Sequence, residues 1–272
     1  MKRRVHDFWL HFIMIVLLFL AFFPFIEMIN ISFKTNAQFD IAPWTITLPL
    51  YPSNYLRAYK SISLYILNSI IVSGITLVGV LFLSAFSGYV FARFSFPGKE
   101  ILYYLVISLL MIPGVLTLIP LFMLTKGLNL LNTRWALILP WTAGGQVFGI
   151  FLLRSFMASI PQELFDSAKI DGAGDFYTFW YIALPLCAPI LGTLGIMNFV
   201  GTWNEYIWPL TVLSDVKLFT LPIGLLTFQS EYVVLRGPLF AGYVIASIPL
   251  LILFALASNL FIEGLTSGAI KA

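Results

Sequence analysis

A chain of 272 residues that is 60% hydrophobic and only 10% charged, with a mean hydropathy of +0.96, reads as an integral membrane protein. Soluble domains carry about 25% charged residues and 45–50% apolar ones. The net charge of +3 is too small to argue for nucleic acid, and the single cysteine, Cys187, excludes an intrachain disulfide and a thiol-based metal site.

A membrane-crossing helix needs about 20 apolar residues, and the charge-free intervals locate six. They predict spans over approximately 8–31, 64–92, 101–124, 135–154, 180–212 and 239–262, all in one transmembrane domain, 1–272. The expected fold class is an all-α integral membrane protein. Lys2-Arg3-Arg4 followed by an apolar run is similar to a secretory signal. That signal's apolar stretch is only about 7–15 residues, whereas Phe8–Ile26 is longer and continues past Glu27 and Asn30, so it reads as a retained first span. Six spans put both termini on one side, and the basic N-terminal cluster makes that side cytoplasmic by the positive-inside rule.

Residues 34–63, with Pro43, Pro49 and Pro52, read as a loop on the outer side. In the second span Ser84, Gly88 and Ala92 form a small-residue line that lets a neighbouring helix come close. A basic turn, Tyr89 to Lys99, follows. The third span is interrupted by Pro113-Gly114 and Pro120; such breakers are tolerated where the freed backbone faces protein or a water-filled cavity. Asn129–Pro140 reads as an outer turn into the fourth span.

Residues 159–175 break the apolar pattern, with Glu163, Asp166, Lys169, Asp171 and Asp175 falling within thirteen residues. Each charge at mid-bilayer would cost roughly 2.5–3.5 kcal/mol, so this segment belongs in water or against another protein. Ser159 and Gln162 fit an S-x-x-Q capping box, Pro161 suits a first helical turn, and Asp166–Lys169 is a favourable i,i+3 pair. Gly172 and Gly174 permit a sharp turn. The prediction is a short surface helix, a glycine hinge, and a second helix returning to the membrane.

The fifth span starts at Pro185 and Pro189 and carries Asn198, Thr202, Asn204 and Glu205 towards its far end. Asn198 and Thr202 are four apart and share a face, as path wall or as packing. A carboxylate near hydrocarbon is a functional-site candidate; the alternative puts Glu205 in an interfacial aromatic belt with Trp203, Tyr206 and Trp208. Leu218–Leu226 is too short to span and suits an interfacial or outer-surface element that could meet a partner protein. The chain ends in a small-residue tail.

Asp166-Ser167-Ala168-Lys169-Ile170-Asp171-Gly172-Ala173, followed by Ile182-Ala183-Leu184-Pro185, resembles the EAA loop of ABC-importer permeases. Asp166 and Ser167 stand where that signature has Glu and Ala, and Gly172 keeps the glycine four residues after the triplet. Gly201-Thr202-Trp203-Asn204-Glu205-Tyr206-Ile207-Trp208-Pro209-Leu210 and the ending Gly264-Leu265-Thr266-Ser267-Gly268-Ala269-Ile270-Lys271 are similar to stretches of carbohydrate permeases. The likeness is to the smaller, six-helix permease of binding-protein-dependent carbohydrate importers, of the maltose-system type.

The resemblance implies a type I importer permease fold whose residues 159–175 form a coupling helix. Glu163, Asp166 and Lys169 would make polar contacts to a separate ATPase. Leu164, Phe165 and Ala168 would fill its cleft beside Ser167 and Asp171, Gly172 would set the turn, and Thr266, Gly268 and Lys271 would reach the ATPase dimer. The implied partners are a second permease, two ATPase subunits, an external solute-binding protein and a sugar or oligosaccharide. ATP and Mg would be bound by the ATPases, with no cofactor on this chain, in the cytoplasmic membrane of a bacterium or archaeon. In keeping with that, no G-x-x-x-x-G-K-S/T loop occurs, because Gly98-Lys99 is followed by Glu100. Glycerol phosphate remains an alternative solute. A self-sufficient secondary transporter would show internal repeats and charges deep in several spans, and neither is found.

Overall fold

Pro52, which has no N–H to lose at the edge of a helix, immediately precedes a 41-residue helix that contains no proline at all. The computed structural model describes the backbone of residues 2–229 and 234–269 and the side chains of 9–229 and 234–259. Its helices are α1 (Lys2–Ser32), α2 (Asn36–Ile41), α3 (Ser53–Arg93), α4 (Lys99–Ser108), α5 (Gly114–Gly127), α6 (Trp135–Ala158) and α7 (Gln162–Ile170). They continue with α8 (Asp175–Thr178), a π-helical turn (Phe179–Ala183), α9 (Leu184–Leu186), α10 (Ala188–Asn204), α11 (Ile207–Val212), α12 (Leu221–Leu225) and α13 (Arg236–Ala269). Among the described residues there is no strand longer than the isolated Gln229–Val234 bridge. The segment read as an outer loop, 34–63, is therefore partly helical, since it holds α2 and the start of α3.

Among the described residues, four helices are long and apolar enough to cross a membrane: Trp9–Ser32, Ser53–Arg93, Trp135–Ala158 and Arg236–Asn259. Two bent pairs, Lys99–Met111 with Gly114–Gly127 (104°) and Asp175–Leu186 with Ala188–Asn204 (73°), bring the number to six when each counts once. The first bend has a local cause. Pro113 disfavours the helical region for the residue before it, and Ile112 is extended at φ −83°, ψ 116°. Pro120 does not break the chain as expected; it lies inside α5, where one lost hydrogen bond leaves the flanking turns intact. The second bend falls at Cys187, whose N–H reaches both Ala183 O and Leu184 O at 3.1 Å.

The chain divides into two units, Met1–Leu64 with Gly224–Ile248 and Tyr65–Ile223 with Pro249–Ala272. In the first, the loop after α1 is held by polar groups. Lys34 is 1% exposed and its Nζ donates to Ala42 O and Pro43 O, both at 2.8 Å. Burial pushes its pKa below the ordinary lysine value, against the raising influence of Glu27. Asn54 Nδ2 donates to Ser32 O and Lys34 O at 2.9 Å, and Arg236 pairs with Asp40 at 2.8 Å. None of the apolar stretch of α1 is buried within the chain.

The second unit is organised on the close pairing of α3 with α6. The small-residue line expected on α3 is used there, and α6 answers it with glycines of its own. A Cβ at Gly88 would stand 2.9 Å from Leu153 Cβ, and one at Gly149 would collide with Ser84. Tyr89 of α3 and Met157 of α6 are buried here together with Phe165, Phe179, Cys187 and Leu194, which pack onto the pair. The segment starting at Leu218 is not the exposed partner surface that was expected. Leu221 and Ile223 are buried, Leu221 N donates to Ser69 Oγ at 2.8 Å, and Asn68 Nδ2 holds Lys217 O and Phe219 O. Apolar side chains on a short element found a core within the chain itself.

Gly149→Val is expected to lower the thermal midpoint of the detergent-solubilised protein, because over-packing of a tight contact costs about 1–3 kcal/mol. Gly74→Ala, at a position with nothing within 4 Å of the added methyl, should leave that midpoint unchanged or raise it. Parallel thermal denaturation of the two variants checks both.

Candidate functional site

A nine-residue helix is marginal by itself, since isolated helices shorter than about 12–15 residues are unstable in water. α7 is nine residues long and exists because it is pinned at three points. Its apolar side faces inward: Phe165 is 2% and Ala168 9% exposed, three residues apart on one face. Its end is a Schellman turn, with Gly172 at φ 84°, Gly172 N donating to Lys169 O at 3.0 Å and Ala173 N to Ala168 O at 2.9 Å.

Its start is held by Arg93, the last residue of α3. The Arg93 guanidinium donates to Gln162 Oε1 at 2.9 Å, to Ile160 O at 2.8 Å and to Met157 O. It also lies 3.8 Å over the Phe165 ring centroid, a cation–π contact. Met157 O and Ile160 O belong to the end of α6 and the turn after it, where backbone acceptors lack helical partners. One side chain thus ties the ends of α3 and α6 to the head of α7. A second arginine reinforces the same end of α6: Arg154 Nη2 reaches both Glu100 carboxylate oxygens at 2.8 and 2.9 Å and stacks 3.6 Å over Tyr103.

The expected capping box does not form. Pro161, not Ser159, is the N-cap of α7, and Ser159 ends α6 with its hydroxyl donating to Phe156 O at 2.7 Å. Gln162 is occupied by Arg93 and donates to Asp166 Oδ1 at 3.0 Å, so Asp166 is partnered by glutamine; among the described residues no ion pair joins it to Lys169.

Of the residues assigned to a docking face, Glu163, Leu164, Asp166, Ser167, Lys169, Asp171 and Gly172 are exposed. Phe165 and Ala168 are not: Phe165 packs into the chain's own core and seats α7, while Ala168, 9% exposed, stands at the wall of an open hollow. Sequence reasoning missed Ile170, 86% exposed, although an apolar residue just before Asp171-Gly172 was the available signal. It also missed Tyr177 and Tyr181, which stack at 4.4 Å and line an open hollow of about 520 Å³ with Asp171, Gly172 and Gly174. Lys271 and the side chain of Thr266 lie outside the described residues, and of Gly268 only the backbone is described.

The second polar zone is a cleft of about 340 Å³ lined by Asn198, Thr202 and Glu205 together with Trp141, Gly145 and Gly201. Asn204 is not part of it and donates to Val200 O at 2.9 Å. The carboxylate of Glu205 is also a cap: Oε1 accepts from Ile207 N at 2.9 Å and Trp208 N at 3.4 Å at the start of α11, where negative charge is favoured. The aromatic belt does not form as posed, because Trp203 and Trp208 are buried and Trp208 Nε1 donates to Ala136 O at 2.9 Å. Among the described residues no three His, Cys, Asp or Glu side chains cluster as a metal site.

The protein is thus an apolar, helical membrane protein with one pinned, charged helix at its surface. Residues 81–267 match the family model described as binding-protein-dependent transport system inner membrane component, and the chain belongs to that family. It is 36% identical to the probable ABC transporter permease protein YurM of Bacillus subtilis (strain 168), over 96% of this chain and 87% of that one. It is also 36% identical to the arabinooligosaccharides transport system permease protein AraQ of Halalkalibacterium halodurans, over 93% and 92%. The fold is similar to a chain in the crystal structure of a bacterial ABC transporter involved in alginate import, at TM-score 0.81 and 20% identity, covering 96% of this chain and 98% of that one.

Arg93→Ala is expected to free α7 without unfolding α10. It removes hydrogen bonds from a charged donor, each worth about 1.5–3 kcal/mol. Hydrogen exchange of amides 165–170 should speed by tenfold or more, with amides 193–200 unchanged. Arg93→Lys should restore little, since an ammonium cannot span the same acceptors.

Proposed function

We propose that the chain is one of two permease halves of an importer that takes a sugar or oligosaccharide from an external solute-binding protein. In this reading ATP and Mg are bound by two partner ATPase subunits, and α7 is the element they grip, on the cytoplasmic side. The observation that carries the reading is the pinning of α7. A charged surface helix joined through Arg93 to the ends of two packed helices moves with them as a rigid body. Closure of the ATPase pair on ATP would displace α7, and the clamp would pass that displacement into α3 and α6, a rigid-body switch between inward- and outward-facing states.

The docking contacts are Glu163, Asp166, Lys169 and Asp171, with Leu164 and Ser167 beside them. Ile170, exposed beside the glycine turn, supplies the apolar contact first assigned to Phe165 and Ala168. Thr266, Gly268 and Lys271 of the tail are assigned to the same ATPase pair by resemblance. The carbohydrate is supported by the relatives, among them permeases of arabinooligosaccharide systems and a diacetylchitobiose uptake system. The path is assigned to the cleft at Asn198, Thr202 and Glu205.

Asp166→Arg should leave membrane insertion intact and abolish both uptake and transport-coupled ATP turnover of the assembled complex. Gly172→Val should do the same by a different route, since a left-handed backbone costs about 1–2 kcal/mol for a residue with a Cβ and re-aims the turn. Uptake and ATP turnover in vesicles carrying each variant are the measurements; normal values in both would remove the mechanism.

A further inference from the structure

The cleft in the second unit has a chemistry more specific than a polar wall. Asn198 Oδ1 is buried without a hydrogen-bond partner, and a buried acceptor left unpaired is costly unless something else satisfies it. Its amide reaches that position because the facing residue is Gly145, where a Cβ would stand 2.7 Å from Asn198 Nδ2. Trp141 supplies an aromatic wall, Thr202 a hydroxyl and Glu205 a carboxylate, while Gly201 leaves the floor bare. None of the residues lining the cleft is a lysine, arginine or histidine. Flat apolar surface beside an asparagine side chain and a carboxylate suits a sugar ring, whose hydroxyls donate to the carboxylate while its C–H face lies on an aromatic side chain. The same carboxylate, with no cation beside it, repels a second negative charge brought close to it.

The geometry points to a subsite on this subunit for a sugar ring that carries no negative charge, with Trp141, Asn198 and Glu205 as its contacts. This rests on the carbohydrate reading and goes beyond it. It assigns solute contact and charge selectivity to this chain, and it disfavours uronate sugars and phosphorylated solutes.

The test uses the whole complex in proteoliposomes, with ATP inside and saturating solute-binding protein outside. Neutral oligosaccharides serve as the transported probes and a uronate oligosaccharide as competitor. Glycan moved per ATP hydrolysed is expected to fall roughly tenfold in Trp141→Ala and in Asn198→Ala, the scale on which loss of one pocket contact is felt. Trp141→Phe should recover most of it. Asn198→Ala removes an oxygen that has no partner in the chain, so it tests the subsite even if Trp141→Ala fails to assemble, which co-purification with the partner subunits reveals. Glu205→Gln keeps an oxygen for Ile207 N and should let the uronate probe compete, whereas no competition is expected with the unaltered protein. Unchanged transport per ATP in both Trp141→Ala and Asn198→Ala, or uronate competition already present in the unaltered complex, would overturn the subsite while leaving a carbohydrate importer standing. If the unaltered complex moves none of the glycans, the carbohydrate reading itself fails and the subsite with it.

Discussion

The guanidinium of Arg93 settles three separate problems of local structure. The end of α6 and the turn after it present carbonyls with no helical partner, and Arg93 donates to two of them. Its own partly buried charge needs acceptors and finds a third in Gln162. The Phe165 ring, which a short polar helix must bury to stay in place, lies under its flat face. A planar fork with several donors can do this at once; a lysine would reach one acceptor and leave the others dry. Everything mechanical about α7 follows from this junction, because a helix of nine residues has little stability to call its own.

What makes the junction useful is the stiffness of what lies behind it. Ser84 against Gly149 and Gly88 against Leu153 bring α3 and α6 so close that no side chain larger than those present fits between them. Dense interiors transmit strain and do not absorb it. Arg154, fixed to Glu100 and stacked on Tyr103, adds the start of α4 to the same end of α6. The exposed face of α7 is therefore tied to helix ends that are themselves packed and hydrogen-bonded to one another.

The polar cleft obeys a different economy. Glu205 is tolerated in an apolar chain because its carboxylate caps α11, and Thr202 is satisfied by the carbonyls of Asn198 and Phe199. Asn198 keeps a buried amide oxygen with no partner. Within the cleft, Thr202 and Glu205 are thus paired by the fold, and the amide oxygen of Asn198 is not. The aromatics show the same division, with Trp203 and Trp208 buried for packing and Trp141 left at the wall of the cleft.

Composition and the spacing of charges were enough to establish a helical membrane protein, the approximate positions of its apolar segments and one stretch that had to stay out of lipid. Those conclusions depend on transfer costs that each residue carries with it wherever it sits. The motif around Asp166 and Gly172 was legible for a related reason, since a left-handed glycine after a short helix is a local requirement. The direction in which side chains face was not local. Phe165 and Ala168 look like contact residues in a charged loop, and only the packing of α7 onto α3 and α6 turns them inward while leaving Ile170 outside. Ser159 and Gln162 spell a cap that never forms, because Arg93, distant in sequence, competes for Gln162. The segment Leu218–Leu226 reads as an interfacial or outer-surface element, and tertiary contacts bury its Leu221 and Ile223. Local energies decide which elements exist; only the assembled chain decides which neighbour each side chain meets, and that decided the site.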